Sequence, residues 1–320
     1  MYNTIDVTQL NETVKKIKEQ IAKVIVGQEQ MIELLIAAML AEGHVLIEGV
    51  PGIGKTLTAK LLSRCIDAHF SRIQFTPDLM PSDVIGTSVF NPQTATFSFK
   101  KGPVFSNIIL IDEINRSPAK TQAALFEVME ERQITYDGIT YILPEPFMVL
   151  ATQNPVEHEG TYRLPEAQLD RFLFKIEVKY PVPEEEIKIL EYAHRGVTTH
   201  FNEEVQPVLS GDDIVMFRKL VASLHIEQKV IKYIAELVYE TRNNKALFLG
   251  ASPRASVAVL RSAKAKAAML GRDFVTPDDV VSVLHPVLCH RIILTPEKEM
   301  EGGTAEEVIK DITKKIEVPR

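Results

Sequence analysis

Apolar residues recur along this chain in two rhythms. In the first half, short unbroken apolar runs alternate with longer stretches of helical period. HVLIEGV, RIQF, NIILID, FMVLATQN and FLFKIEV read as strands. Between them, EQMIELLIAAMLAEG, KTLTAKLLSRCIDA and SPAKTQAALFEVMEER read as helices, the first stopped by Gly43. The last should take Ser117 as its N-cap, with Pro118 at the first helical position. Strands apolar on both faces, alternating with helices, predict a parallel sheet covered by helices.

Two stretches break the alternation. Pro77–Phe105 is long and rich in turn residues, and QITYDGITYIL alternates around Asp137-Gly138, a hairpin signal. Insertions of this kind on a rigid α/β core are often functional. After Tyr180, PVPEEE reads as a hinge. Beyond it the pattern is helical, at DDIVMFRKLVASL, EQKVIKYIAELVYETR, SPRASVAVLRSAKAKAAML and TPDDVVSVLHPVLCHRI, with no convincing strand. The expected organisation is an α/β core over 1–180, carrying the insert 77–105 and the hairpin 133–143. A hinge and connecting segment follows over 181–206, then a small all-α domain with a tail over 207–320.

The remaining composition narrows the function classes. The 320 residues are 45% hydrophobic and 25% charged, enough for a sizeable core. A net charge of -7 argues against non-specific nucleic-acid binding, which needs a basic face. The longest apolar run, Leu34–Ala41, is too short to span a bilayer. With a polar N-terminus, the expectation is a cytoplasmic protein with no membrane span. Cys65 and Cys289 show neither metal-ligand nor CxxC spacing, so buried free thiols in a reducing compartment are expected.

GVPGIGKT, Gly49 to Thr56, follows an apolar strand and opens a helix. That is the context in which G-x-x-x-x-G-K-[ST] is a phosphate-binding loop rather than a glycine-rich turn. Gly49, Pro51, Gly52, Ile53, Gly54, Lys55, Thr56 and Leu57 would form the cradle, with backbone N–H groups and a helix N-terminus facing phosphate. Lys55 would reach the β- and γ-phosphates of ATP, and the Thr56 hydroxyl would ligate Mg²⁺. IILIDEIN carries a strand to its carboxyl end, where open α/β sheets bind ligands. Asp112 would hold the metal's shell, and Glu113 would orient and deprotonate the attacking water. An acidic helix cap is the plainer reading of that pair taken alone. Asn154, ending a third strand, could bond the γ-phosphate or the water, although asparagine before proline is ordinarily a turn residue.

These pieces, in this order, resemble the AAA+ ATPases. DEINRSPAKTQAALFEVMEERQIT and GTYRLPEAQLDRF are more closely similar to the MoxR family, relatives of the magnesium-chelatase motor subunit. The resemblance covers nearly the whole chain. It implies a P-loop core with a helical lid, assembled as a hexameric ring with ATP bound between subunits. It makes Arg171 the arginine finger, aimed at charge developing on a neighbour's nucleotide. The plainer alternative is an ion pair with Asp170 or Glu166. Arg254 in GASPRAS matches the position of a second nucleotide-sensing arginine. Ser252 as N-cap and Pro253 at N1 put it in a first helical turn, where a cation opposes the dipole. Val26 and Gly27 match the segment lying over the adenine.

At Arg163 the chain departs from the family pattern, which generally has proline or another uncharged residue there; a second interface arginine and a solvated side chain are the two readings, the latter favoured. Arg116 fits the pattern without a fixed role. Insert and hairpin would face the ring axis, where Leu79, Met80 and Tyr136 could grip a protein client. The implied activity is Mg²⁺-dependent ATP hydrolysis driving chaperone-like maturation or metal-cofactor insertion. A von Willebrand factor A domain protein is the implied partner. The competing readings are a nucleic-acid-remodelling motor and a nucleotide-gated scaffold with little turnover.

Overall fold

The computed structural model describes residues 6–154, 162, 164–196 and 204–319. Two helices, α1 (Thr8–Ala22) and α2 (Glu29–Leu40), precede β1 (Val45–Glu48) and α3 (Lys55–Cys65). Then come β2 (Phe70–Gln74), α4 (Pro81–Ile85), β3 (Gly86–Asn91), β4 (Thr96–Lys101) and β5 (Ile108–Asp112). A helix α5 (Ala119–Glu131) leads to β6 (Gln133–Tyr136), β7 (Ile139–Ile142), β8 (Met148–Gln153) and β9 (Phe174–Glu177). Five strands form one parallel sheet in the order β2-β5-β8-β1-β9. The expected parallel sheet and its flanking helices are therefore present.

Successive side chains of a strand point to opposite faces, and the core obeys that period. Ile108, Leu110, Met148 and Leu150 belong to one buried cluster; Ile109, Ile111, Val149 and Ala151 belong to the other. The first cluster continues without a break into the C-terminal helices, taking in Val238, Ala263 and Leu284. Core and lid thus share one apolar interior.

The lid is built from helices Gly211–Ser223, Gln228–Asn243, Pro253–Met269 and Pro277–Leu288. Their starts follow the capping chemistry of the sequence. Ser210 and Thr276 accept from the N–H groups of Asp213 and Asp279, and each aspartate reaches back to its cap residue.

Two expectations need correction, and two segments gain detail. The helix expected to be capped by Ser117 starts one residue later, with Pro118 as N-cap, because extended ψ at Pro118 keeps it outside the helix. The lid contains a two-stranded antiparallel pair, Leu247–Leu249 with Ile293–Leu294, where no strand was expected; runs this short carry no period to read. PVPEEE opens a helix, Pro183–His194, whose Pro183 sits at the first turn and whose Glu185 caps the Val182 N–H. The insert is regular: α4 is followed by the β3–β4 hairpin in six-pair register from Gly86↔Lys101 to Asn91↔Thr96. That hairpin lies beside β6–β7, and Phe99 stacks on Tyr136 with ring centroids 4.9 Å apart. Among the described residues no helix is long and apolar enough to cross a membrane.

Candidate functional site: a phosphate cradle and an arginine pair

The glycine-rich loop leaves the carboxyl edge of the sheet between β1 and α3. Gly52 and Gly54 have φ of +88° and +87°, a conformation in which a Cβ is strained, so the loop needs glycine at both. Gly54 is the N-cap of α3, which puts the helix's unpaired N–H groups at the loop mouth. Lys55 begins the helix, and its ammonium donates to the Gly49 carbonyl at 2.5 Å, folding the cation into the loop. Thr56 and Leu57 follow in the first turn, both half-buried. Pro51 is exposed at the loop's crest and Ile53 packs on the core.

Asp112 ends β5 and is 7% exposed. One carboxylate oxygen accepts from Arg72 Nε at 2.5 Å and the other from Thr152 Oγ1 at 3.2 Å. Glu113 follows in the left-handed region, φ +58°, a costly conformation for a residue with a side chain. It is held there by its N–H, which donates to Thr152 Oγ1 at 3.0 Å. Its carboxylate accepts from Gln74 Nε2 at 2.7 Å and pairs with Arg116 at 3.2 Å. Asn154, just past the end of β8, is 9% exposed. Thus Lys55, Thr56, Asp112, Glu113 and Asn154 all gather at the carboxyl ends of adjacent strands. Of these, the Thr56 hydroxyl and the Asp112 carboxylate offer hard oxygen ligands suited to Mg²⁺. Val26 and Gly27 precede α2, and Gly27 helps line a recess with Lys18, Ala22, Ile25 and Ile32. Gly27 has φ +69°, and a Cβ there would meet the Glu185 carboxylate at 2.8 Å.

Arg171 and Arg254 are elsewhere. Phe174 at the start of β9 pairs with Val45 at the start of β1, so Arg171 sits at the amino edge of the sheet. The glycine-rich loop leaves the opposite edge. Four strand residues at about 3.3 Å each separate the two by more than an arginine's reach. Arg171 does not pair with Asp170, which bonds Arg291 at 2.6 Å. It pairs instead with Glu130, in the last turn of α5, and donates to the Phe126 carbonyl at 2.9 Å. Arg254, in the first turn of the lid helix Pro253–Met269, bonds the other oxygen of Glu130 at 2.9 Å. Both arginines line a recess of about 240 Å³ with five arginines and three carboxylates on its wall, an excess of positive charge. Arg163 lies outside the described residues.

Two buried imidazoles brace this edge. His44 Nδ1 accepts from the Val149 N–H at 3.0 Å, which fixes Nε2–H as the donor to the Met129 carbonyl. Burial pushes its pKa down to about 4. His290, against the Phe172 carbonyl, is likewise held neutral by burial. Cys289 is not isolated, as its spacing suggested: its thiol, His285 and Glu177 have ligand atoms within 4.8 Å of one another. Burial pushes the thiol up to about 12, and Lys175, paired with Glu48 at 2.7 Å and 3.9 Å from Glu177, supplies the cation there. Cys65 is a buried thiol, as expected.

Sequence reasoning missed Thr152, Arg72, Gln74 and Glu130. Thr152 stood in view within ATQN, one residue from the strand's polar end. Glu130 carried a subtler signal: α5 ends in two glutamates with no base in its last turn, against the helix dipole.

Comparison with known proteins shows the family and the fold. Residues 44–174 match the ATPase family associated with various cellular activities, and residues 239–312 match the AAA lid domain. Chaperone MoxR1 of Mycobacterium tuberculosis is 43% identical over 94% of this chain and 81% of its own. The chain belongs to the MoxR family of AAA+ ATPases. Another relative is the uncharacterized protein YeaC of Bacillus subtilis, 45% identical over 97% of this chain and 96% of its own. A solved structure described as a candidate ATPase, from Cytophaga hutchinsonii, superposes with a TM-score of 0.91 at 44% identity. It covers 98% of this chain and 97% of that one. As an AAA+ ATPase of MoxR type, the protein binds nucleotide and hydrolyses ATP.

Proposed function

We propose that this MoxR-family ATPase works as a ring, most simply a hexamer, whose active sites each draw residues from two subunits. The observation that carries the reading is the placement of Arg171 and Arg254 on the sheet edge opposite the phosphate loop of their own chain. Within one chain those guanidiniums cannot touch the nucleotide that Lys55 and Thr56 bind.

Bound Mg²⁺, held by Thr56 and Asp112, would neutralise phosphate charge. The chain's own residues do the rest. Gly52 to Thr56 wrap the phosphates in N–H donors. Glu113 takes the proton of the attacking water, and Asn154 fixes that water's direction. Thr152 locks Asp112 and Glu113 in register through its one hydroxyl. Val26 and Gly27 meet the base. A neighbour's Arg171, with Arg254 beside it, meets the charge growing on the γ-phosphoryl oxygens. Such a finger is worth about 10³–10⁵ in rate where it has been measured.

The cargo is a protein client, remodelled in a chaperone-like way; metal-cofactor insertion and a von Willebrand factor A domain partner belong to the same reading, as does a cytoplasmic setting. A relative carries the name Chaperone MoxR1, which supports this class. The paired hairpins offer the client surface. Phe97 is 72% exposed and Ile142 78%, whereas Tyr136 is stacked and Leu79 packs on the core. Phe90, Phe97 and Ile142, with Met80, are therefore the better grip.

The deciding experiment is ATPase activity against protein concentration with Mg²⁺, for wild type and Arg171→Ala. Activity per subunit should rise with concentration and be nearly lost in the variant. Constant activity with a normal variant would refute the shared site.

A further inference from the structure

We propose that Glu130 is the positioning residue of the arginine pair, holding Arg171 and Arg254 in one rigid array that enters the neighbouring subunit's site as a unit. This rests on the reading that Arg171 acts across the interface. One carboxylate serves both guanidiniums, Oε2 facing Arg171 Nη1 and Oε1 facing Arg254 Nη2 at 2.9 Å. The two arginines come from different bodies, one from the loop before β9 and the other from the lid helix, so the shared acid fixes lid against core at that point. Nearby bonds make the mount stiff. Ser252 Oγ, at the start of the same lid helix, donates to Asp170 at 3.0 Å, and Arg291 grips Asp170 and the Phe172 and Leu173 carbonyls. Asp170 is thereby occupied, which leaves Glu130 as the acid that meets both arginines among the described residues.

The location argues against a purely structural role. Glu130 lies in the last turn of α5, where a carboxylate faces the negative end of the dipole, and its side chain is 41% exposed. An exposed pair there contributes little to stability. Each arginine spends one edge on Glu130: Arg171 uses Nη1, and its Nη2 makes no hydrogen bond to a described residue. That leaves Arg171 Nη2 as a donor for an anion that a neighbour would supply. Without the carboxylate, two like charges side by side would splay apart, and misplacing a catalytic group by about 1 Å costs on the order of 100-fold.

The test uses the full chain with steady-state ATPase, binding of a fluorescent ATP analogue, and thermal unfolding. The variants are Glu130→Gln, Glu130→Ala, Arg171→Ala, Arg254→Ala and the double Glu130→Ala with Arg171→Ala. Glu130→Ala should lower kcat by about 10–100-fold and leave analogue binding and the unfolding midpoint near wild type. Glu130→Gln should fall between, since a carboxamide has one acceptor for two cations. In the double variant Glu130→Ala should add little to the loss from Arg171→Ala, because residues acting as a unit are not additive. A kcat within twofold of wild type for Glu130→Ala, beside an inactive Arg171→Ala, overturns this proposal and leaves the shared site standing. So does a loss fully additive with Arg171→Ala. An Arg171→Ala variant as active as wild type instead removes the cross-subunit reading itself, and this proposal with it.

Discussion

Thr152 shows how much can hang on one hydroxyl. It is 3% exposed, donates to Asp112 and accepts from the Glu113 N–H, so it holds both acids from the neighbouring strand. Thr152→Val keeps the shape and removes the oxygen. An orphaned buried donor costs about 1–3 kcal/mol, so kcat should fall by about 10–100-fold with nucleotide affinity nearly unchanged; equal loss of both would show collapse of the loop instead. Lys55→Ala should abolish nucleotide binding, and Glu113→Gln should bind ATP without cleaving it, checked by analogue fluorescence and phosphate release. The acids and the lysine were legible because motif and strand edge coincide in one stretch of chain. Thr152 and Arg72 were not, because what they touch is decided by the order β2-β5-β8, which places residues distant in sequence side by side.

Helices and strands were readable wherever a period repeats several times, as in α2, α5 and the lid helices. The readings failed where the period is too short to count, at Leu247–Leu249, or where one dihedral decides, at Pro118. Elements also carry the pH response. His44 wedges β8 against the end of α5 and His290 ties the lid to the segment before β9, both uncharged in the fold. A histidine whose pKa drops on folding stabilises the fold above its unfolded value and loses that contribution as pH falls. For His44 the window runs from about 6.5 down to about 4, worth on the order of 3 kcal/mol. Denaturant midpoints should therefore decline on acidification through that window, and His44→Asn should flatten the decline if its amide keeps the two backbone bonds. Arg291, 8% exposed and bonded to four carbonyls and Asp170, is the stronger lid-to-core tie. Arg291→Leu leaves the Asp170 charge without its partner and should cost about 3–5 kcal/mol, read by chemical unfolding.

At the scale of the molecule, the fold class followed from the alternation of strands with helices. The partnership of Arg171 did not, because the sequence offers Asp170 and Glu166 beside it and the fold supplies Glu130 from another helix. Under the proposed shared site, each chain would be a piece with a socket at one end and a plug at the other, a head-to-tail geometry that can close into rings. Subunits without a functional socket still carry a plug. Lys55→Ala and Arg171→Ala preparations, each inactive alone, should regain activity when mixed, since an intact Lys55 can face an intact Arg171 across a mixed boundary. Random assembly of equal amounts makes about one boundary in four competent. An opposite-edge finger would thus turn two dead enzymes into a working one, by arithmetic that no single-chain active site could satisfy.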